Sequence, residues 1–193
     1  MAAAIATSRC ALAALMTWAL AGPALAQDVP PPAYQVAAHQ AGIPSTVLYA
    51  VALQESGTRL NHRLVPWPWT LNVAGVGHRF PTRAKACAHL QQALRDVPPT
   101  RIDVGLGQIN LGYQRHRYRR PCELLAPYRN LAIAADILRE QHAPGQDWLI
   151  TVGRYHRPAG GAPAARYRRS VGQHLARVRS ELQINTTAQR SPP

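Results

Sequence analysis

The segment that most limits what this chain can fold into is Tyr49-Ala-Val-Ala-Leu-Gln-Glu-Ser-Gly57, an apolar run that closes on one carboxylate. Ser45, just after Pro44, reads as an N-cap, and Gly57 reads as the residue past the C-terminus, so the run predicts one short helix. Val47, Leu48 and Val51 form a stripe, and Glu55 falls four residues after Val51, on that same face. The opposite face (Tyr49, Ala50, Leu53) also lacks charge, which predicts a helix buried on most sides. Burial disfavours the charged form of a carboxyl group, and the negative end of the helix dipole acts in the same sense. Glu55 therefore either pairs with one of the many arginines or stays protonated near neutral pH, able to donate a proton.

The chain's 193 residues suit one domain with a real core. Arg9, the apolar run over 10–20 and Ala24-Leu25-Ala26 have the form of a secretory signal cleaved before Gln27. This predicts a signal peptide over 1–26, a mature domain over 27–182 and a disordered tail over 183–193. The expected location is the periplasm, at the cell wall. Cys10 leaves with the signal, so Cys87 and Cys122 remain, either as one disulfide or as two buried thiols. The eight histidines are scattered, and Cys87-Ala-His89 lacks further ligands, so neither a metal nor a cofactor is expected. The formal charge of +13 comes almost wholly from arginine, with Lys85 the single lysine. Such a surface suits nucleic acid, an anionic envelope polymer or an acidic protein, and an exported chain meets the envelope first.

Along the chain, 33–41 predicts a first helix ending at Gly42, set at an angle to the Glu55 helix. The stretch 60–80, with Trp67-Pro-Trp69 and Ala74-Gly-Val-Gly77, predicts two short strands about a Gly-rich turn. Helices follow over 83–94, capped by Thr82, over 128–141, over 148–155, capped by Asp147, and over 164–182. The stretch 102–110 between them reads as a loop. The class is α+β, mainly α, with a small β-excursion after the Glu55 helix.

Three segments, in order, resemble the soluble lytic transglycosylase family, relatives of goose-type lysozyme, over roughly 33–182. They are Ala52-Leu-Gln-Glu-Ser-Gly57, Gly105-Leu-Gly-Gln-Ile-Asn110 with Gly107 in place of the family's methionine, and Val152-Gly-Arg-Tyr-His156. Asn130 before an Ala-rich helix also fits the pattern. The stretches over 67–73 and 153–158 look most like transglycosylases of integrative conjugative elements, which accompany type IV secretion machinery.

The resemblance implies a lysozyme-like fold and a monomer acting on peptidoglycan glycan strands, with secretion components as possible partners and nucleic acid not expected. It implies that Glu55 is the acid–base in cleavage of the MurNAc-β-1,4-GlcNAc bond, leaving a 1,6-anhydro end. Ser56 and Gln108 are expected to position Glu55 or the sugar, Gly105 to let backbone approach it, and Tyr155 to lie near the acid and the acetamido group. His156 stands where the family usually has Asn. Trp67 and Trp69 either stack on sugars or pack the small lobe, and Asn72 either meets N-acetyl groups or serves a turn. Asn130 is either a site residue or a helix cap. Asp103 is either a loop residue or a second carboxylate that would make the enzyme a hydrolytic muramidase. The reading from a different class is a non-catalytic basic protein that binds the envelope or DNA.

Overall fold

In the computed structural model, which describes residues 30–190, the Glu55 segment is the central helix. Helix α1 (Pro32–Ala41) ends at Gly42, whose φ of 67° lets its N–H fold back on carbonyls of the last turn. The chain turns by 118° into α2 (Ser45–Ser56). Eight residues of α2 are buried, on every side, because α1, α4, α5 and α6 all pack against it.

Both ends of α2 differ from the sequence expectation. Ser45 does not cap it. Pro44, extended and without an N–H, sets the start, and its carbonyl takes the first turn's amides. Gly57 is not left-handed (φ −54°), and the chain runs straight into a strand. Its glycine is required for space, since a Cβ would lie 2.2 Å from the Leu53 carbonyl oxygen.

The β-excursion holds four strands in place of the expected two. Strands β1 (Gly57–Leu60) and β2 (Arg63–Pro66) form a hairpin about Asn61 and His62, both left-handed. Strands β3 (Thr70–Val73) and β4 (Val76–Arg79) turn at Ala74-Gly75, where the Asn72 side chain accepts from the Gly75 amide. The predicted loop over 102–110 supplies two more, β5 (Ile102–Val104) and β6 (Ile109–Asn110), giving an antiparallel sheet ordered β4-β3-β5-β6. Its buried members Leu71, Ile102, Val104 and Ile109 alternate with polar residues on the other face, a period the glycines of the segment obscure.

Helix α3 (Arg83–Asp96) is capped by Thr82, and Cys87 on it is joined to Cys122 in the turn Pro121–Leu125. Helices α4 (Pro127–Glu140), α5 (Trp148–His156, capped by Asp147) and α6 (Gly161–Arg190) complete an α+β fold that is mainly α. The expected tail is a correction, because α6 continues to Arg190. Thr186 and Thr187 bond back to the Leu182 and Gln183 carbonyls there, while the buried stripe of α6 already ends at Val178. The signal peptide, its cleavage site and Cys10 lie outside the described residues. Among the described residues no single helix is long and apolar enough to cross a membrane.

Candidate active site

Glu55 stands at the C-terminal end of α2, where the helix meets the sheet, and opens on a groove of about 680 Å³. Asn72, Asp103, Gln108, Tyr155 and His156 line the same groove, so residues far apart in sequence converge on the carboxyl group. The arginine partner that the sequence left open is not there: among the described residues Glu55 forms no ion pair. Its Oε1 instead accepts a 2.5 Å hydrogen bond from the Tyr167 hydroxyl of α6. Burial pushes the Glu55 carboxyl up to about 7, against the pull of that hydrogen bond and with help from the Asp103 charge. The group can thus hold a proton at neutral pH and release it to a bound molecule.

Tyr167 is a side chain at the acid that the sequence reading did not single out. A signal existed: Ala164, Tyr167, Val171, Leu175 and Val178 fall at helical spacing and are all buried. A tyrosine at the head of such a stripe brings a hydroxyl to the core's edge, where it needs a partner. His156 lies flat on the Tyr167 ring, with centroids 4.5 Å apart and planes within 4°. His156 therefore backs the tyrosine that grips Glu55. Burial and the neighbouring Arg157 draw the His156 pKa down, and Asp103 pulls it back up.

The sheet delivers a polar row. Asn72 pairs with Asp103 across β3 and β5, and Asp103 pairs with Asn110 across β5 and β6, so the three share one face. Asn110 donates to Asp103 Oδ1 at 2.8 Å. Burial raises the Asp103 pKa, while Asn110 and His156 lower it. Asp103 is thus a strand residue that faces the groove, not a loop residue.

The Gly105–Asn110 segment is held from beneath. Asn130, buried on α4, accepts from the Gly107 amide and donates to the Val104 and Leu124 carbonyls, each at 2.8 Å. Asn130 caps no helix by its side chain and does not line the groove; it anchors the turn. Gly105 follows from this, with φ +83° and a Cβ position 2.2 Å from Asn130 Nδ2, so glycine makes room there for Asn130, and Gly105 does not line the groove. At Gly107 a Cβ would press on Ala134 and on the Tyr155 hydroxyl, which explains why no side chain stands there. The Tyr155 hydroxyl donates to the Gly107 carbonyl at 2.6 Å, and its phenol is pushed far up by burial and the nearby acids.

Gln108 is left-handed (φ 46°), a conformation rare for its type, and its Nε2 donates to the Gly105 and Thr70 carbonyls. That leaves Oε1 as the atom it can offer a ligand. Ser56 is fully buried, donating to the Ala52 and Leu106 carbonyls, so it ties α2 to the turn and meets no ligand itself. Trp67 and Trp69 pack edge to face, Trp67 donates to the Phe80 carbonyl, and neither lines the groove. Tyr113, 72% exposed at the groove rim, and Arg157 are groove residues that the sequence reading did not single out. Comparison with protein-family models, with curated proteins and with solved structures finds no match for this chain.

Proposed function

We propose that this chain is an exported peptidoglycan lytic transglycosylase of the soluble, lysozyme-like kind, opening the wall locally for a conjugation or secretion apparatus. One observation carries the reading: a helix-end carboxyl group, Glu55, whose pKa burial pushes up to about 7, opening on a groove and gripped by Tyr167. A glycosidic oxygen is a poor leaving group until it is protonated, and a carboxyl group with a pKa near ambient pH is suited to that step.

In the proposed reaction Glu55 gives its proton to the bridging oxygen as the bond to the MurNAc C1 breaks. The substrate's own acetamido oxygen supports the developing charge at C1. Glu55, now a carboxylate oriented by the Tyr167 hydroxyl, takes the proton of the C6 hydroxyl as O6 closes on C1. No water is consumed, and the new end is a 1,6-anhydro sugar. In this reading Gln108 Oε1 accepts from the sugar and the Asn72 side chain donates to it, since both line the groove. The test is muropeptide release from purified sacculi, with Glu55→Gln expected to lower the rate on the order of a thousand-fold while the fold is kept. Undiminished release in that variant would refute the mechanism.

A second reading has its own support, because Asp103 shares the groove and its charge acts on Glu55. A carboxylate there could hold a water and give hydrolysis. Mass spectrometry separates the two outcomes, since anhydro ends are one water lighter than reducing ends.

A further inference from the structure

Past β6, the outer strand of the sheet, the chain makes a turn that no step of the proposed reaction uses. The Asn110 side chain holds it. Its Oδ1 accepts from the Gly112 and Tyr113 amides, each at 3.0 Å, and the Asn110 carbonyl accepts from the Gln114 amide. Nδ2 of the same residue donates to Asp103 Oδ1, which fixes the turn to the polar row of the groove. On its other side the Gly112 amide donates to the Pro99 carbonyl, and a Cβ at Gly112 would lie 2.4 Å from Thr100. This constrained turn brings Tyr113 and Gln114 to the groove wall beside Ile137 of α4. Tyr113 is 72% exposed, and among the described residues neither its ring nor its hydroxyl has a partner. Gln114 is half-buried, and its Oε1 accepts from Arg117 Nε at 2.6 Å, while Arg117 is paired in turn with Glu140 of α4. A guanidinium only donates, so the amide oxygen must face it. That leaves Nε2, with two hydrogens and no partner among the described residues, as the atom that Gln114 offers the groove.

We propose that Tyr113 and Gln114 form a second sugar subsite, for an N-acetylhexosamine ring of the strand other than the one that loses its bond; this rests on the reading of the groove as a glycan site. A pyranose carries C–H bonds on its faces and polar groups at its rim. The negative face of the Tyr113 ring attracts those C–H hydrogens, and Ile137 adds apolar surface beside it. A nitrogen that can only donate selects an acceptor at the sugar's rim. The acetamido carbonyl is an acceptor with no hydrogen of its own, whereas a hydroxyl both donates and accepts. The turn is held by its own hydrogen bonds before any ligand arrives, so little ordering is left for binding to do. The row Asn72, Asp103, Asn110 runs outward across the sheet, and the turn continues it beyond the last strand. The ring taken there is therefore a neighbour along the strand, not the one at Glu55.

The experiment measures, by calorimetry, the affinity of the Glu55→Gln chain for the N-acetylglucosamine tetramer, since that chain binds without cleaving. Adding Tyr113→Ala is expected to weaken binding about tenfold, and adding Tyr113→Phe to leave it near the parent's. Gln114→Glu keeps the oxygen that Arg117 holds and exchanges only the NH2 for an acceptor, so binding should weaken about fivefold. The glucose tetramer, which has no acetamido carbonyl, should lose less in that variant. Unchanged thermal unfolding of each variant checks that the turn is kept. Binding equal to the parent's in Tyr113→Ala or in Gln114→Glu, or an equal loss on both tetramers in the latter, overturns the subsite and leaves the glycan reading in place. No tetramer binding by Glu55→Gln itself overturns that reading and the subsite with it.

Discussion

Glu55 is held between two opposed influences, and Tyr167 is the one that can be removed cleanly. Burial favours the protonated acid, while the phenolic hydrogen bond favours the carboxylate. Tyr167→Phe keeps the ring that stacks on His156 and deletes only the hydroxyl. The Glu55 pKa should then rise above about 7, moving the alkaline limb of the pH–rate profile to higher pH. The rate at the optimum should fall on the order of tenfold, the scale of a hydrogen bond to a charged group. An unmoved alkaline limb would show that Tyr167 does not act on the acid. The position of Glu55 was legible because helical spacing put it on a buried face. Its partner was not, since 112 residues separate them and only the packing of α6 on α2 brings them together.

At the scale of elements, the groove's floor is a turn supported by a helix. Asn130→Ala would leave the Gly107 amide and the Val104 and Leu124 carbonyls without their partner in a dry site, costing roughly 3 kcal/mol. Urea denaturation measures that loss, and activity should fall with it because Gln108 lies on that turn and Asp103 on the strand that leads into it. The Cys87–Cys122 bridge ties α3 to the turn before α4 across 35 residues of chain. Replacing both cysteines by alanine should cost roughly 3–4 kcal/mol by the loop-closure argument, read as a lower urea midpoint with a higher m-value, since the unfolded chain without its cross-link exposes more surface. Helices with clear apolar periodicity or a capping side chain, α3 and α5 among them, were legible to within a residue or two. The strands β5 and β6 were not, because three residues or fewer, flanked by glycines, carry too little pattern.

For the molecule as a whole, the raised Glu55 pKa links the site to stability. The carboxyl titrates near 4.5 when unfolded and near 7 when folded. Between those values the native state holds the proton that the unfolded chain has lost, so stability falls as pH rises through that window. The full linkage is roughly 3 kcal/mol, lowered where the carboxyl edge opens to the groove. His156 and His174, whose pKa values are drawn down by burial, act in the opposite sense, so the comparison must be between variants. Glu55→Gln should equal the wild type near pH 4, exceed it above pH 7, and show a flatter profile between; parallel profiles in denaturant titrations would contradict the assigned burial of the acid. The sequence by itself determined the class, the central buried helix and the acid at its end, because these follow from local periodicity and from the cost of burying charge. Tertiary structure alone decided which side chains surround that acid: Tyr167 as its partner, Asp103 as a groove residue, Asn130 and Ser56 as anchors behind it. Such pairings depend on how distant elements pack, and no local pattern encodes that distance.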